Sequence, residues 1–454
     1  MKKLHGVCVP HRKNTAERIP ERMPVPPAIT LPMNMHIGAP AKPVVAVGDE
    51  VRVGQLVAEA GGFVSSPVYS GVSGKVKKLD EVLTSAGQKV PAILIETDGL
   101  QTPADFTPPT VTDTKSFIEA VRQSGVVGRG GAGFPTAVKL SVKDLSQIEA
   151  VVINGAECEP YITSDTRTML DQPELVLKGI ELLQKYLSAK RVIFAIEDNK
   201  PDCLRLYREK TKGLSGVEVQ SLPAVYPQGG EKVLIYHTTG RVVPEGGLPI
   251  NAGAVVINCT TLAAIARYVT TGVPLYEKVV TVDGSAVKDP KNVIVPIGTP
   301  MQAVFDFCGG FKAPAKKVLY GGPMMGIAVP DTDQPVLKTT NALLAFDEKD
   351  AILPETTACI RCGTCIRTCP MKLMPVEIEH AWNMNDGEHL KKLKVNLCME
   401  CGCCAYVCPA RRPLVQVNKL AKATLAGYNA DQNAEAEKAA AHAAAKVEKG
   451  AEKK

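Results

Sequence analysis

GVVGRGGAGFP, residues 125–135, spaces three glycines as G-x-G-x-x-G at Gly128, Gly130 and Gly133. In a dinucleotide-binding Rossmann unit that spelling follows a strand, opens a helix and is answered by an acidic residue about 20 positions on. Here the preceding KSFIEAVRQSG reads as a helix ended by Gly125, Pro135 follows at once, and the next strand closes on Asn154. Yet the run is too dense in glycine for a plain turn. Gly128, Gly130, Gly131 and Gly133 bare several backbone N–H groups, which suits a flat ligand or a phosphate. A Rossmann loop and another kind of cradle both stay open on these residues alone.

Downstream, apolar runs alternate with amphipathic ones. IEAVVINGAE reads as a buried strand, PELVLKGIELLQKYL as a helix and RVIFAIED as a strand. GAVVINC followed by TTLAAIARYV reads as a strand entering a helix. This alternation implies a mostly parallel sheet with helices on its faces, an α/β domain over residues 115–272. Upstream, VVAVGDEVRVGQLVAEAGG and SSPVYSGVSGKVKKL read as short strands with glycine turns, and their spelling resembles the biotinyl/lipoyl barrel-sandwich fold. Such domains carry a prosthetic group on a hairpin lysine. No lysine occurs between Arg52 and Lys75, so the module at 36–101 is expected to be structural. Residues 1–35, rich in proline, read as an extended arm, and TPADFTPPTVTDT (102–114) as a linker. Residues 277–325 look β-rich with one helix, within a module drawn at 275–335. The end, 421–454, is low-complexity Ala/Glu/Lys without a core face and is expected to be disordered.

At 454 residues the chain needs several cores. Its 45% hydrophobic and 22% charged residues are ordinary for a globular protein, and +6 net charge without a dense Lys/Arg block argues against nucleic acid as a partner. The longest uncharged stretch, residues 246–266, contains Pro249, Asn251 and Asn258 and reads as strand and helix rather than a membrane span. The basic start lacks an apolar h-region, so a reducing cytoplasm is the expected compartment. Fourteen cysteines there call for metal or redox chemistry, and nine of them fall between Cys359 and Cys408.

CIRCGTCIRTCP places Cys359, Cys362, Cys365 and Cys369 in C-x2-C-x2-C-x3-C-P, and CMECGCCAYVCP repeats it with Cys398, Cys401, Cys404 and Cys408. In two-cluster ferredoxins the fourth cysteine of each such run serves the other cluster. One [4Fe–4S] cluster is therefore expected on Cys359, Cys362, Cys365 and Cys408, and a second on Cys398, Cys401, Cys404 and Cys369. Zinc knuckles usually pair two C-x2-C units across a longer spacer, which these runs do not match. Cys403 breaks the spacing and reads as a packing residue. The insert between the runs reads as helix, so a helical ferredoxin-like domain is expected over 350–420.

GRGGAGFPTAVKL followed by NGAECEP resembles the flavoprotein subunit of respiratory complex I. With HIGAPAKPVVAVGD, INGAECEPYIT, EDNKP, YPQGGEK and GGPMMG, the likeness is closer still to the C subunits of the Rnf ferredoxin:NAD⁺ oxidoreductase complexes, over residues 25–415. The resemblance implies a multidomain α/β protein. It would comprise a Rossmann-like FMN/NADH domain, a barrel-sandwich N-terminal module, a β-grasp (SLBB) module and a helical two-[4Fe–4S] domain. It implies noncovalent FMN, with Gly128, Gly130 and Gly131 lining the isoalloxazine, Gly133 in the same loop and Lys139 meeting the phosphate. Asn154, Glu157 and Glu159 match the acidic loop, Gly230 and Glu231 a second loop, and Asn258 caps a helix facing the phosphate. Phe134 and Glu159 are candidates for contact with NAD(H). Where complex I has an aspartate before the first of these glutamates, Ala156 stands here.

On that resemblance the chain passes electrons between NAD(H), FMN and two clusters, with no side chain needed as acid or base. It would sit peripherally on the cytoplasmic side of the cell membrane, beside membrane and iron–sulfur subunits, and reach ferredoxin indirectly. Two alternatives are a cobalamin reductase of propanediol-utilising microcompartments and an electron-relay scaffold without nucleotide binding. In the former the HIGAP-like module tends to follow the clusters, whereas here it leads.

Overall fold

The computed structural model describes residues 5–85, 87–128 and 133–451. The described residues divide into two compact units, Cys8–Ile352 and residues 353–451 together with residues 5–7.

The first unit opens with β1 (Glu21–Arg22) and β2 (Ala28–Pro32). Then come β3 (Lys42–Pro43), β4 (Glu50–Val51), β5 (Leu56–Glu59), β6 (Val68–Tyr69), β7 (Gly74–Leu83) and β8 (Lys89–Thr97). They form two small sheets, β2-β8-β7-β4 and β3-β5-β6. Alternate residues Ile29, Leu31, Ile93, Ile95, Val57 and Val76 turn inward and are buried. The expected boundary at residue 35 is corrected, because Ala28–Pro32 runs antiparallel to β8, from Ala28 opposite Glu96 to Pro32 opposite Ala92. The surrounding prolines obscured the alternation of Ile29 and Leu31. The turn between β5 and β6, where a lipoyl domain would carry its lysine, is pinned down instead. Ser66 Oγ and Pro67 O accept from the buried Lys338 Nζ at 3.0 and 2.5 Å, and Phe63 O accepts from Arg122 at 3.1 Å.

The α/β domain contains α1 (Thr114–Gln123), α2 (Thr136–Leu140), β9 (Ala150–Gly155), α3 (Ser164–Asp171) and α4 (Pro173–Tyr186). It continues with β10 (Val192–Glu197), α5 (Pro201–Lys210), β11 (Val217–Leu222), α6 (Glu231–Thr239), β12 (Ala254–Asn258) and α7 (Cys259–Thr271). The four strands are all parallel in the order β11-β10-β9-β12. Helices cover both faces, so the inner strands read as unbroken apolar runs. Val151 and Ile153 share a core with Ile180 and Leu262, while Ala150 and Val152 face Leu234 and Ile235. The chain builds outward from β9 through β10 to β11, then returns to lay β12 on the other flank of β9. Open α/β sheets bind ligands in the crevice at the carboxyl ends of strands where the order reverses in this way. Asn154 and Asn258 are register partners at that point. Residues 246–266 supply β12 and most of α7, and no helix among the described residues is long and apolar enough to cross a membrane.

The third module holds β13 (Glu277–Asp283), β14 (Lys291–Pro296), α8 (Met301–Phe307), β15 (Lys317–Tyr320), β16 (Ile327–Ala328), β17 (Ala342–Phe346) and α9 (Glu348–Ala351). Its sheet runs β1-β14-β13-β17-β15-β16, so the arm contributes an edge strand. Met301, Val304 and Phe305 of α8 pack on Val280, Val282 and Val293. The module extends past the expected end at 335, because Ala342–Phe346 is an inner strand buried along its whole length.

The second unit contains α10 (Thr364–Thr368), α11 (Pro375–Asn383), α12 (Gly387–Lys392), α13 (Cys403–Tyr406) and α14 (Leu414–Ala451). The insert between the cysteine runs is helical, as α11 and α12. The expectation of a disordered tail from 421 is corrected. Residues 421–451 continue α14, whose Ala421 and Leu425 join Ile378, Leu390 and Val395 in a core. Val417, Ala421 and Leu425 are spaced four apart, a stripe that the alanine-rich composition concealed. From Ala430 to Lys438 the helix is exposed on all sides.

Candidate functional site

The glycine run leaves α1 and returns into α2. Its neck is closed by Gly128 N–H donating to Phe134 O at 2.9 Å and by a bridge between Val127 and Pro135. Gly130 and Gly131 lie outside the described residues. Gly133 has a positive φ of 67°, and a Cβ there would lie 2.6 Å from Thr339 Cγ2, so close packing accounts for this glycine. Its carbonyl accepts from Ile37 N–H at 3.2 Å, and Phe134 beside it is half-buried. Lys139, in the last turn of α2, donates to Glu231 Oε1 at 2.6 Å and to Val256 O at 3.2 Å. The lysine is thus held at the carboxyl end of the sheet with a carboxylate as partner.

The acidic loop leaves β9 at Gly155. Glu157, at φ 49°, turns its carboxylate onto the start of α3. It accepts from Asp165 N–H at 2.6 Å, Thr166 N–H at 3.3 Å and the Thr166 hydroxyl at 2.5 Å. It satisfies donors that a helix N-terminus leaves bare. Glu159 points the other way. Its carboxylate accepts from Met324 N–H at 3.1 Å and Met325 N–H at 2.8 Å in the GGPMMG loop. Gly322 makes room for it, since a Cβ there would lie 2.2 Å from Glu159 Oε2. Burial pushes both carboxyls up to about 7, against the pull of Lys13 in Glu157 and of the two methionine N–H groups in Glu159.

Two lysines, Lys13 half-buried and Lys200 buried, hold this loop from behind. Lys13 of the arm donates to the carbonyls of Glu157, Glu159 and Ile162 at 2.7, 2.9 and 2.5 Å. Lys200 of the EDNKP segment donates to Ala156 O at 2.5 Å and pairs with Glu197 at 3.0 Å. Burial opposes the charge on Lys200, but Glu197 and Glu157 outweigh it and its pKa is raised. Cys158, between the glutamates, accepts from Gly229 N–H at 3.3 Å, and burial pushes its thiol up to about 12, so it stays protonated.

The register-paired asparagines organise the crevice. Asn154 donates to Gly229 O at 3.0 Å and accepts from Ala156 N–H at 3.1 Å, which joins the acidic loop to the 226–231 loop. Gly230 stands at the start of α6 without a side-chain cap, and Glu231 occupies its first turn. Asn258 caps α7 by accepting from Thr261 N–H at 3.0 Å, and its Nδ2 donates to Asp165 at 2.7 Å. The structure therefore links Lys139 with Glu231, Asn154 with the loop before Gly230, and Asn258 through Asp165 with Glu157 at one sheet end, with Glu159 turned from the same acidic loop toward the GGPMMG loop, while Gly128 and Phe134 close the neck of the glycine run. Lys13, Asp165, Lys200, Gly229 and Gly322 complete the arrangement. Their roles depend on distant partners, and only the motif spellings around Lys200, Gly229 and Gly322 hinted at them.

In the second unit the two cysteine runs repeat one local geometry. Arg361 and Glu400 both take positive φ, and their N–H groups donate to Cys359 and Cys398 Sγ at 3.4 Å. Gly363 and Gly402 follow in the left-handed region at φ 70° and 79°. Cys359, Cys362, Cys365 and Cys408 line a cavity walled by Val376 and Leu414. Cys369, Cys398, Cys401 and Cys404 line another walled by Leu373 and Val415. Each set takes its fourth thiol from the other run and surrounds a space, which is the donor arrangement of an iron–sulfur cluster. Cys403 is fully buried and lines the second cavity beside its neighbours.

Comparison with known proteins divides the chain along the same lines. Residues 2–100 match the RnfC barrel sandwich hybrid domain, 121–267 the Nuo51 FMN-binding domain, 279–328 the SLBB domain and 358–411 the 4Fe-4S dicluster domain. The chain is 41% identical over 368 residues to the C subunit of the proton-translocating ferredoxin:NAD(+) oxidoreductase complex of Clostridium ljungdahlii, covering 80% of each chain. It is 42% identical over 378 residues to the Na(+)-translocating counterpart of Acetobacterium woodii, covering 82% of this chain and 85% of that one. Against the C subunit of the ion-translocating oxidoreductase complex of Rhodobacter capsulatus it is 38% identical, covering 91% and 81%.

Proposed function

The chain belongs to the family of C subunits of ion-translocating ferredoxin:NAD(+) oxidoreductase complexes, and from that premise we propose that it carries electrons between NAD(H), FMN and two [4Fe–4S] clusters. One observation carries the reading. A switch-point sheet end, where Asn154 pairs with Asn258 and the acidic loop leaves the sheet, shares a chain with two cavities, one lined by Cys359, Cys362, Cys365 and Cys408 and the other by Cys369, Cys398, Cys401 and Cys404 with Cys403 beside them. When bound, FMN exchanges two electrons with a nicotinamide and single electrons with clusters.

The residues divide the work of holding it. Gly128 and the glycines after it give the ring a side without Cβ atoms, and Lys139 offers its ammonium to the phosphate. Asn258 sets the start of α7, whose N-terminal dipole favours an anion. Asn154 and Gly230 hold the second loop against the first. Glu157 and Lys13 fix the acidic loop's backbone, so the crevice is preformed. Glu159 ties it to the third module and borders, with Phe134, the side where NAD(H) would stack. The cysteines hold the clusters as two crossed sets, the one with Cys369, Cys401 and Cys404 buried more deeply than the one with the exposed Cys359 and Cys362.

As one member of an assembly of several subunits, the protein would dock peripherally on the cytoplasmic face of the membrane, against membrane and iron–sulfur subunits, and meet ferredoxin only through them. Among the described residues no helix could itself form a path for ions across a bilayer. The test is cofactor content. Anaerobically purified full-length protein should hold about eight irons in two four-iron clusters and release one FMN on denaturation. Protein that binds no FMN on reconstitution would favour an electron relay instead.

A further inference from the structure

Asn418 lies in the second turn of α14, with its side chain almost fully buried. Its Nδ2 donates to Cys398 Sγ at 3.5 Å, and it lines the cavity formed with Cys369, Cys401 and Cys404. Glu400 N–H already donates to the same sulfur, as Arg361 N–H does to Cys359 in the other run. Leu373 N–H donates to Cys369 Sγ of the same set at 3.4 Å, and the amide of Asn418 is a side-chain donor added to these backbone ones. The opposite amide orientation would aim Oδ1 at a thiolate, two acceptors facing each other, so the donor must face the sulfur. The placement has a cost, because Oδ1 is buried without a hydrogen-bond partner. A buried amide with one arm unsatisfied and the other on a ligand sulfur is explained by what that sulfur gains.

We propose that Asn418 is a potential-setting residue, whose amide N–H to the Cys398 sulfur raises the reduction potential of the cluster on Cys369, Cys398, Cys401 and Cys404 relative to the other. The physical basis is electrostatic. Each added electron spreads negative charge onto the ligand sulfurs, so a fixed N–H dipole stabilises the reduced cluster more than the oxidised one. Leu373, Val415 and Pro375 wall the site, and apolar surroundings of that kind screen the dipole less than water does. The inference rests on the two-cluster reading above and concerns one residue acting through a ligand.

The test is a redox titration of the full-length protein followed by electron paramagnetic resonance, with iron counted in the same samples. Wild type, Asn418→Leu, Asn418→Ser and Asn418→Asp are compared. Asn418→Leu should keep about eight irons and make one cluster about tenfold harder to reduce, a fall of about 59 mV for a one-electron couple. The other cluster should not move. Asn418→Asp keeps the shape but sets an anion by the sulfur, so its fall should be larger, and Asn418→Ser, with a short hydroxyl donor, should fall between wild type and Leu. If Leu costs iron, the order of Ser and Asp carries the test. Unchanged potentials at full iron, or equal falls in both clusters, would overturn the role of Asn418 and leave the cluster assignment standing. Four irons or fewer in the wild type would overturn the two-cluster reading itself.

Discussion

The tie between Glu159 and the GGPMMG loop makes Gly322→Ala a sharp probe. A Cβ at Gly322 would lie 2.2 Å from Glu159 Oε2 and 2.6 Å from its Cδ, where contacts under 3.0 Å do not occur. Gly322 is not among the glycines with positive φ, so the backbone tolerates alanine and the whole effect falls on the glutamate. Its carboxylate must move by about 1 Å, out of reach of Met324 N–H, now at 3.1 Å, and Met325 N–H, now at 2.8 Å. Hydrogen bonds to a charged group are worth roughly 1.5–3 kcal/mol each. The two share one acceptor, and Glu159 with its pKa near 7 can protonate to soften the loss, so a total of about 2–4 kcal/mol is expected. That converts to roughly 30- to 900-fold less protection of the Met324 and Met325 amides against hydrogen exchange. In a Glu159→Ala background Gly322→Ala should add almost nothing, because the two changes remove one interaction. Undiminished protection in Gly322→Ala, or the same loss in both backgrounds, would refute this account of the glycine.

Three further outcomes follow. Lys139→Ala should weaken FMN binding about 10- to 150-fold, the loss of one charge-assisted contact of roughly 1.5–3 kcal/mol; titration of the apoprotein checks it, and unchanged affinity would remove Lys139 from the phosphate site. Cys404→Ser should lower the iron count while Cys403→Ser leaves it intact, and equal losses would show that the ligand set is misassigned. Glu157 and Glu159 ionise near 4.5 when unfolded and near 7 when folded. Between those pH values the native chain holds protons that the unfolded chain has released, so this contribution makes the first unit less stable as pH rises from about 4.5 to about 7, and flat above. Thermal unfolding of the apoprotein should show that fall, less steeply in Glu159→Gln; an identical slope would mean that burial of Glu159 is not its source.

What could be read without coordinates was local or periodic. The grouping of the cysteines was legible because their spacing is itself local geometry: Cys408 lines a cavity with Cys359, Cys362 and Cys365, and Cys369 lines one with Cys398, Cys401 and Cys404. The α/β order was legible because parallel strands buried on both faces, such as Val192–Ile196, cannot help being apolar. Module boundaries were not. Ala28–Pro32 looks like proline-rich arm, and Ala342–Phe346 is a buried strand without alternation. The acidic loop was legible as a unit, but the opposed directions of Glu157 and Glu159 follow from partners at Thr166 and Met325. Lys13 sits 144 residues from the Glu157 carbonyl it holds, and no spacing rule connects them. Asn418 reaches Cys398 only because α14 starts where it does.

The central claim is a sequence of events, and anaerobic rapid mixing measures it. NADH is mixed with full-length protein carrying FMN and both clusters, and flavin absorbance is followed alongside freeze-quenched paramagnetic resonance of the clusters. Flavin bleaching should come first, cluster reduction should follow it, and protein stripped of FMN should leave its clusters oxidised under the same NADH. Clusters reduced at the same rate without FMN, or flavin that bleaches while intact clusters stay oxidised, would contradict the account.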